Sequence, residues 1–222
     1  KPSLKHINLS YLKDIFSLGY KFFFIQISVV IIYQSNNIII AQVGSPNDVT
    51  VFNIAFKYLH LALLLFTIIV TPFWSAFTDA YTQKDFSWMR GVFKKLQQVS
   101  YFMIGFVIVL CISSQTVYKH WIGNLVDIPN QVTLFCAVYI ILLIIITYNH
   151  QIINGMGKLR VQMISYIFAI ILHIPLAYFL GIRHGIIGVL GSGIIFYTII
   201  AITALIQSKK LLLNNASGVW NK

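Results

Sequence analysis

Six stretches of this 222-residue chain, 22–43, 51–74, 97–118, 131–153, 161–180 and 185–207, are mainly apolar. Each has about the length a bilayer core demands, roughly 20 residues of helix. Hydrocarbon offers no partner to a backbone amide, so continuous runs of this kind cross it as helices that close their own hydrogen bonds. Composition agrees: the chain is 58% hydrophobic and 9% charged, with mean hydropathy +0.81, where a soluble domain carries roughly a quarter charged residues. The expected fold is an all-α membrane protein with six transmembrane helices. Mostly short connections make consecutive helices antiparallel neighbours.

Sixteen Lys and Arg face five acids, Asp14, Asp48, Asp79, Asp85 and Asp127, for a formal charge of +11. The cations sit between apolar runs rather than on a polar surface, which argues against nucleic acid and for membrane topology. Lys1, Lys5, Lys13, Lys21, Lys84, Arg90, Lys94, Lys95, Lys158, Arg160, Lys209, Lys210 and Lys222 all fall on one side of the alternating spans. Only Lys119 and Arg183 fall on the other. Because positive loops stay inside, both termini are expected to be cytoplasmic.

Residues 1–21 are expected to be an arm that either lies on the headgroups as an interfacial helix or serves as a linker, and 208–222 a cytoplasmic tail. The chain opens at Lys1 without a signal-peptide pattern, so a fragment is expected. Cys111 and Cys136 lie in apolar runs without metal-ligand spacing and read as packing residues. No metal site, cofactor or catalytic constellation is expected, since no carboxylate pair or base-activated nucleophile converges inside a span.

One cation escapes the topology count. Lys57 lies inside the second run, where Asn53, Lys57, His60, Thr67 and Thr71 fall at i, i+4, i+7, i+14 and i+18, a single helix face. Gln26, Tyr33 and Asn37 share a face of the first span, with Gln34 and Asn36 beside it. Thr147, Gln151 and Asn154 share one in the fourth, with Tyr148, Asn149 and His150 around them. Such stripes line a polar cavity or serve packing hydrogen bonds. Lys57 either snorkels to the interface or places a fixed cation in the cavity, suited to a phosphate or pyrophosphate. The expected cavity set is Gln26, Tyr33, Asn37, Asn53, Lys57 and His60. No span holds Asp or Glu, so a coupling carboxylate is not expected among them. Pro72 and Pro175 are expected to bend their helices, and the small residues Gly181, Gly185, Gly188 and Ser192 to permit close helix approach.

Between the second and third spans runs "TPFWSAFTDAYTQKDFSWMR", residues 71–90. Asp79 and Asp85 in it could cap helices or pair with Lys84 and Arg90. The pattern of Pro72, Trp74, Asp79, Ala80 and Asp85, followed by "NGMGKLRVQ" from Asn154, "IPLA" from Ile174 and "GIIGV" from Gly185, resembles the bacterial polysaccharide flippases. These belong to the multidrug/oligosaccharidyl-lipid/polysaccharide exporter superfamily. The resemblance covers nearly the whole chain as the C-terminal half of such a protein. It implies one six-helix lobe of a two-lobed twelve-helix exporter in the bacterial inner membrane, flipping undecaprenyl-diphosphate-linked repeat units for O-antigen or capsular polysaccharide by alternating access.

It further implies coupling to H+ or Na+ and possible partnership with a polysaccharide polymerase and chain-length regulator. Pro72, Trp74, Asp79, Asp85, Asn154 and Lys158 would form a cytoplasmic gate or loop motif. Two rivals stand beside this reading. A drug/cation antiporter of the same superfamily would favour a carboxylate in its spans. A membrane glycosyltransferase or ligase would need acidic or arginine-rich outer loops, and those here offer only Asp48, Asp127 and Arg183.

Overall fold

The computed structural model describes residues 10–123 and 125–221, with side chains from residue 16 onward. Its elements are α1 (Ser10–Val43), α2 (Pro46–Val70), α3 (Phe73–Thr82), α4 (Phe86–Trp121), α5 (Asn130–Gly155), α6 (Arg160–Leu212) and a closing 3-10 turn (Gly218–Asn221). All regular structure among the described residues is helical. Five helices are long and apolar enough to cross a membrane, and α6 is long enough to do so twice.

The helical conformation of α6 breaks at one residue, Gly185, with φ 56° and ψ −140°, a backbone state open essentially to glycine. There the chain reverses. Across the two arms, 160–184 and 186–212, His173 Nδ1 lies 3.0 Å from Ser192 Oγ, and Ser165 Oγ lies 3.3 Å from Thr203 Oγ1. Near the base of the hairpin Gln207 Nε2 donates to the Lys158 carbonyl at 2.7 Å. As one partner's number falls the other's rises, which is the signature of antiparallel helices. The expected loop 181–184 is therefore helix, and the turn is a single glycine. Six crossings result.

Their directions alternate. Asn37 of α1 meets Asn53 of α2, and Tyr33 meets Phe56, an antiparallel register. Asn36 meets His173 while Val43 packs on Gly181, so α1 runs parallel to the first arm of α6. Phe56 meets Tyr139 while Phe77 packs on Gly155, so α2 and α3 run parallel to α5. Lys21, Lys84, Arg90, Lys94, Lys95, Lys158, Arg160, Lys209 and Lys210 consequently share one end of the bundle, called the basic end below. Lys119 and Arg183 occupy the sparse end. Apolar side chains such as Phe102 (75% exposed) and Ile112 (80%) cover the perimeter, as a lipid-facing surface requires.

Several boundaries differ from expectation, each for a local reason. Residues 1–9 of the expected arm lie outside the described residues. From Ser10 onward α1 is unbroken through residue 21 into the span, with no proline to interrupt it. α2 starts early because Ser45 and Asp48 form a reciprocal capping box, with Ser45 N–H donating to Asp48 Oδ2 at 2.8 Å and Pro46 in the first turn. It ends at Val70 rather than 74. Pro72 has no N–H to continue the ladder, although Thr71 and Pro72 both keep helical φ/ψ. Pro175 produces no departure from helical φ/ψ.

Close approach depends on two glycines in particular. A Cβ on Gly188 would overlap the Leu180 carbonyl across the hairpin, and one on Gly155 would stand 2.6 Å from Phe77 Cβ, where α3 lies on α5. Gly188→Ala is expected to destabilise the protein by about 1–3 kcal/mol through overpacking against backbone. Gly105→Ala, which meets nothing within 4 Å, should leave stability unchanged or raise it by up to about 1 kcal/mol through helix propensity. Thermal unfolding in detergent checks both.

Candidate substrate cavity

A cavity of about 480 Å³ opens among α1, α2, α5 and both arms of α6. From α1 come Val29 and Tyr33; from α2, Phe56, Lys57, His60 and Leu63; from α5, Tyr139, Leu143, Ile146, Thr147 and His150; from α6, Tyr166 and Tyr197. Spacing in α2 explains its share: Phe56, His60 and Leu63 lie at i, i+4 and i+7, with Lys57 alongside. Lys57 is exposed, His60 half-buried and His150 nearly buried. No lining residue is acidic.

The wall is largely aromatic. Phe56 contacts Tyr33 at 5.1 Å and His60 at 5.5 Å between ring centroids, and meets Tyr139 edge-on at 5.7 Å; Tyr139 in turn meets Tyr197 at 4.8 Å. These geometries suit π-faces that prefer offset or edge contacts. The Tyr139 hydroxyl is buried without a partner among the described residues. A buried hydroxyl left unpaired costs roughly 1–3 kcal/mol. An apolar and aromatic wall bearing few polar groups is the usual construction of a ligand site.

Behind this wall lies a closed polar network. His173, fully buried, holds Ser192 Oγ at 3.0 Å through Nδ1 and Asn36 Oδ1 at 3.1 Å through Nε2. One tautomer serves both contacts, with Ser192 donating to Nδ1 and the Nε2–H donating to Asn36. The network ties α1 to both arms of α6. Asn36 Nδ2 is left without a partner. A Cβ on Gly193 would press on Tyr139 and approach His173, so the network and the cavity wall are in adjacent layers.

Of the expected cavity set, Tyr33, Lys57 and His60 line the space. Asn53 and Asn37 do not; Asn53 donates to Asn37 Oδ1 at 2.7 Å, one step nearer the sparse end. Gln26 is exposed and lies outside the lining. Thr67 and Thr71 turn their hydroxyls back onto Leu63 and Thr67 carbonyls. Tyr139, His150, Tyr166 and Tyr197 complete the lining, and His173 and Ser192 the network. Sequence offered a partial signal: Ser192 lay in the small-residue run and His150 beside a polar stripe, while His173 and the tyrosines stood alone in apolar surroundings.

The loop motif sits at the basic end. Trp74 stacks on Phe22 at 5.0 Å, and Asp85 caps α4 by accepting from Trp88 N–H at 2.9 Å. Asp79 is exposed on α3. Arg90 donates to the Leu212 carbonyl at 3.3 Å. Gly155 seats α3, Gly157 makes the turn into α6 with φ 68°, and Lys158 Nζ reaches the Asn221 carbonyl at 3.2 Å. Asn154 is partly buried, its Oδ1 unpartnered.

The family model described as "Polysaccharide biosynthesis protein" matches residues 1–125, more than half of the sequence, including the whole of that loop. The chain belongs to the polysaccharide biosynthesis protein family. Among solved structures, this polysaccharide biosynthesis protein is similar to a crystal structure of a MATE mutant, with TM-score 0.73 and 17% identity. The match covers 96% of this chain and 49% of that one, so the chain spans about half of it and has the fold of one lobe of such an exporter. Curated proteins give no sequence match.

The cavity and the network behind it respond differently to substitution. His173→Ala strands Ser192 and Asn36 in a buried site and is expected to destabilise the protein by about 1–3 kcal/mol. Lys57→Ala, at an exposed position, should stay within about 0.5 kcal/mol of the parent. Thermal denaturation in detergent separates the two.

Proposed function

We propose that this polysaccharide biosynthesis protein is a lobe of a flippase that moves undecaprenyl-diphosphate-linked oligosaccharide repeat units across the bacterial inner membrane by alternating access, for O-antigen or capsular polysaccharide. The observation that carries the reading is the cavity itself: an aromatic and apolar wall with Lys57, His60 and His150 directed to it and no acid. A diphosphate is a dense anion on an apolar carrier. Lys57 meets the anion by charge-assisted hydrogen bonds, and the Tyr33, Phe56 and Tyr139 faces pack on sugar or isoprenoid. The family assignment and the exporter fold support transport over enzymatic chemistry.

In this reading the basic end is cytoplasmic, with both termini on that side. Coupling is to H+ or Na+, through a carboxylate outside the cavity described. Pro72, Trp74, Asp79, Asp85, Asn154 and Lys158 form the cytoplasmic gate, and a polysaccharide polymerase and chain-length regulator receive the product.

In cells that depend on this protein for export, Lys57→Ala should lower polysaccharide export about tenfold, the effect of losing one hydrogen bond to a charged group. Lys57→Arg should retain most of it. Wild-type export from both variants would make Lys57 an interface anchor. A second measurement places the residue directly: Lys57→Cys in a Cys111→Ser, Cys136→Ala background, labelled with a membrane-impermeant thiol reagent. Labelling that lipid-linked substrate blocks is expected; labelling indifferent to substrate overturns the assignment.

A further inference from the structure

A second cavity, of about 450 Å³, lies at the basic end between α4 and the second arm of α6. It shares no lining residue with the first. Tyr148 and Asn149 face it from α5, whereas Thr147 and His150 on the same helix face the substrate cavity. Three cations surround it: Arg90 and Lys94, one helical turn apart on α4, and Lys209 on α6. No acidic side chain lines it. The Leu212 carbonyl accepts from Arg90 Nη1 at 3.3 Å and fixes the guanidinium at its rim.

Beyond the cations the lining turns apolar, with Phe93, Leu205 and Leu212. Its floor is self-satisfied: Ser208 donates to Asn149 Oδ1, and Asn149 Nδ2 donates to the Ile145 carbonyl at 2.7 Å. No polar demand is left there for a soluble, many-hydroxyl ligand to meet. Toward the bilayer centre the two helices continue as exposed apolar surface, Phe102 (75% exposed) on α4 and Ile202 (50%) on α6.

We infer that this cavity is a binding site for an anionic glycerophospholipid, its phosphate held by Arg90, Lys94 and Lys209 and an acyl chain lying against Phe93 and Leu205 between α4 and α6. The order of groups along the slot is that of the lipid itself: cations at headgroup depth, then hydrocarbon. Basic pockets between helices at this depth are suited to anionic headgroups, each surface cation contributing roughly a fivefold gain.

The test is native mass spectrometry of the purified chain in detergent doped with phosphatidylglycerol or phosphatidylcholine. Retention of phosphatidylglycerol in preference to phosphatidylcholine is expected. The Arg90→Gln/Lys94→Gln/Lys209→Gln variant should lose about 100-fold in retention, three fivefold steps. Lys84→Gln/Lys95→Gln/Arg160→Gln removes equal charge from the same end and should lose less than about twofold. If the triple variant fails to fold, Lys94→Gln and Lys209→Gln singly should each lose about fivefold. Equal losses from the two triple variants, or equal retention of the two lipids, would overturn the site. So would displacement of the lipid by millimolar inorganic phosphate, which would make it an ion site, or by lipid-linked diphosphate, which would make it part of the transport route.

Discussion

Helices already in lipid gain little hydrophobic free energy by touching one another, because a neighbour's leucine is no drier than a lipid tail. The lobe therefore depends on close backbone approach and on polar pairs between helices. Both concentrate where α6 folds on itself. Gly188 lets the second arm reach the Leu180 carbonyl, Gly181 admits Val43 and Val189, and Gly193 admits the Tyr139 ring. Held at that distance, His173 can reach Ser192 and Asn36 together. The packing of α1 against α6, and hence the wall of the cavity between α1 and α5, follows from those contacts.

The molecule keeps its polar groups in two kinds of place. The His173 network is sealed behind the wall and fixes three segments relative to one another. The groups around the substrate cavity are open, lightly bonded and mounted on helices whose backbones are complete, which keeps their positions defined while leaving Lys57 free to meet a ligand. α5 separates the two accessible spaces, presenting Thr147 and His150 to one and Tyr148 and Asn149 to the other. Consecutive residues on a helix point about 100° apart, so a single buried helix can serve two sites without a loop between them.

Much of the architecture was legible in the sequence, because span length and hydropathy report directly on what hydrocarbon tolerates. The six crossings and the grouping of cations at one end follow from that constraint. Helix ends were less legible. Ser45 with Asp48 extends α2 outward and Pro72 shortens it, local hydrogen-bond effects that a hydropathy average does not register. The hairpin turn was placed as a four-residue loop at 181–184, because its charged Arg183 and His184 look like solvent-exposed loop residues, yet the helix carries them to Gly185.

For the cavity, helical phase singled out Lys57, His60 and Tyr33, which line it, together with Asn37, Asn53 and Gln26, which do not. Phase fixes an angle about the helix axis and says nothing of depth along it. Gln26 lies about two turns below Tyr33, and the asparagine pair about one turn above. Tyr139, Tyr166, Tyr197 and His173 formed no periodic pattern among their apolar neighbours. Only the tertiary packing of four helices brings them together.

The single-glycine reversal at Gly185 also limits how proteins of this shape can diverge. An added residue between Leu180 and Gly188 would push the two arms out of the register in which His173 finds Ser192, and would part backbones already in contact. The connection between α4 and α5, residues 122–129, carries no such obligation at the same end of the bundle. Length variation at that end is therefore accommodated between α4 and α5, while the α6 turn is held to one size.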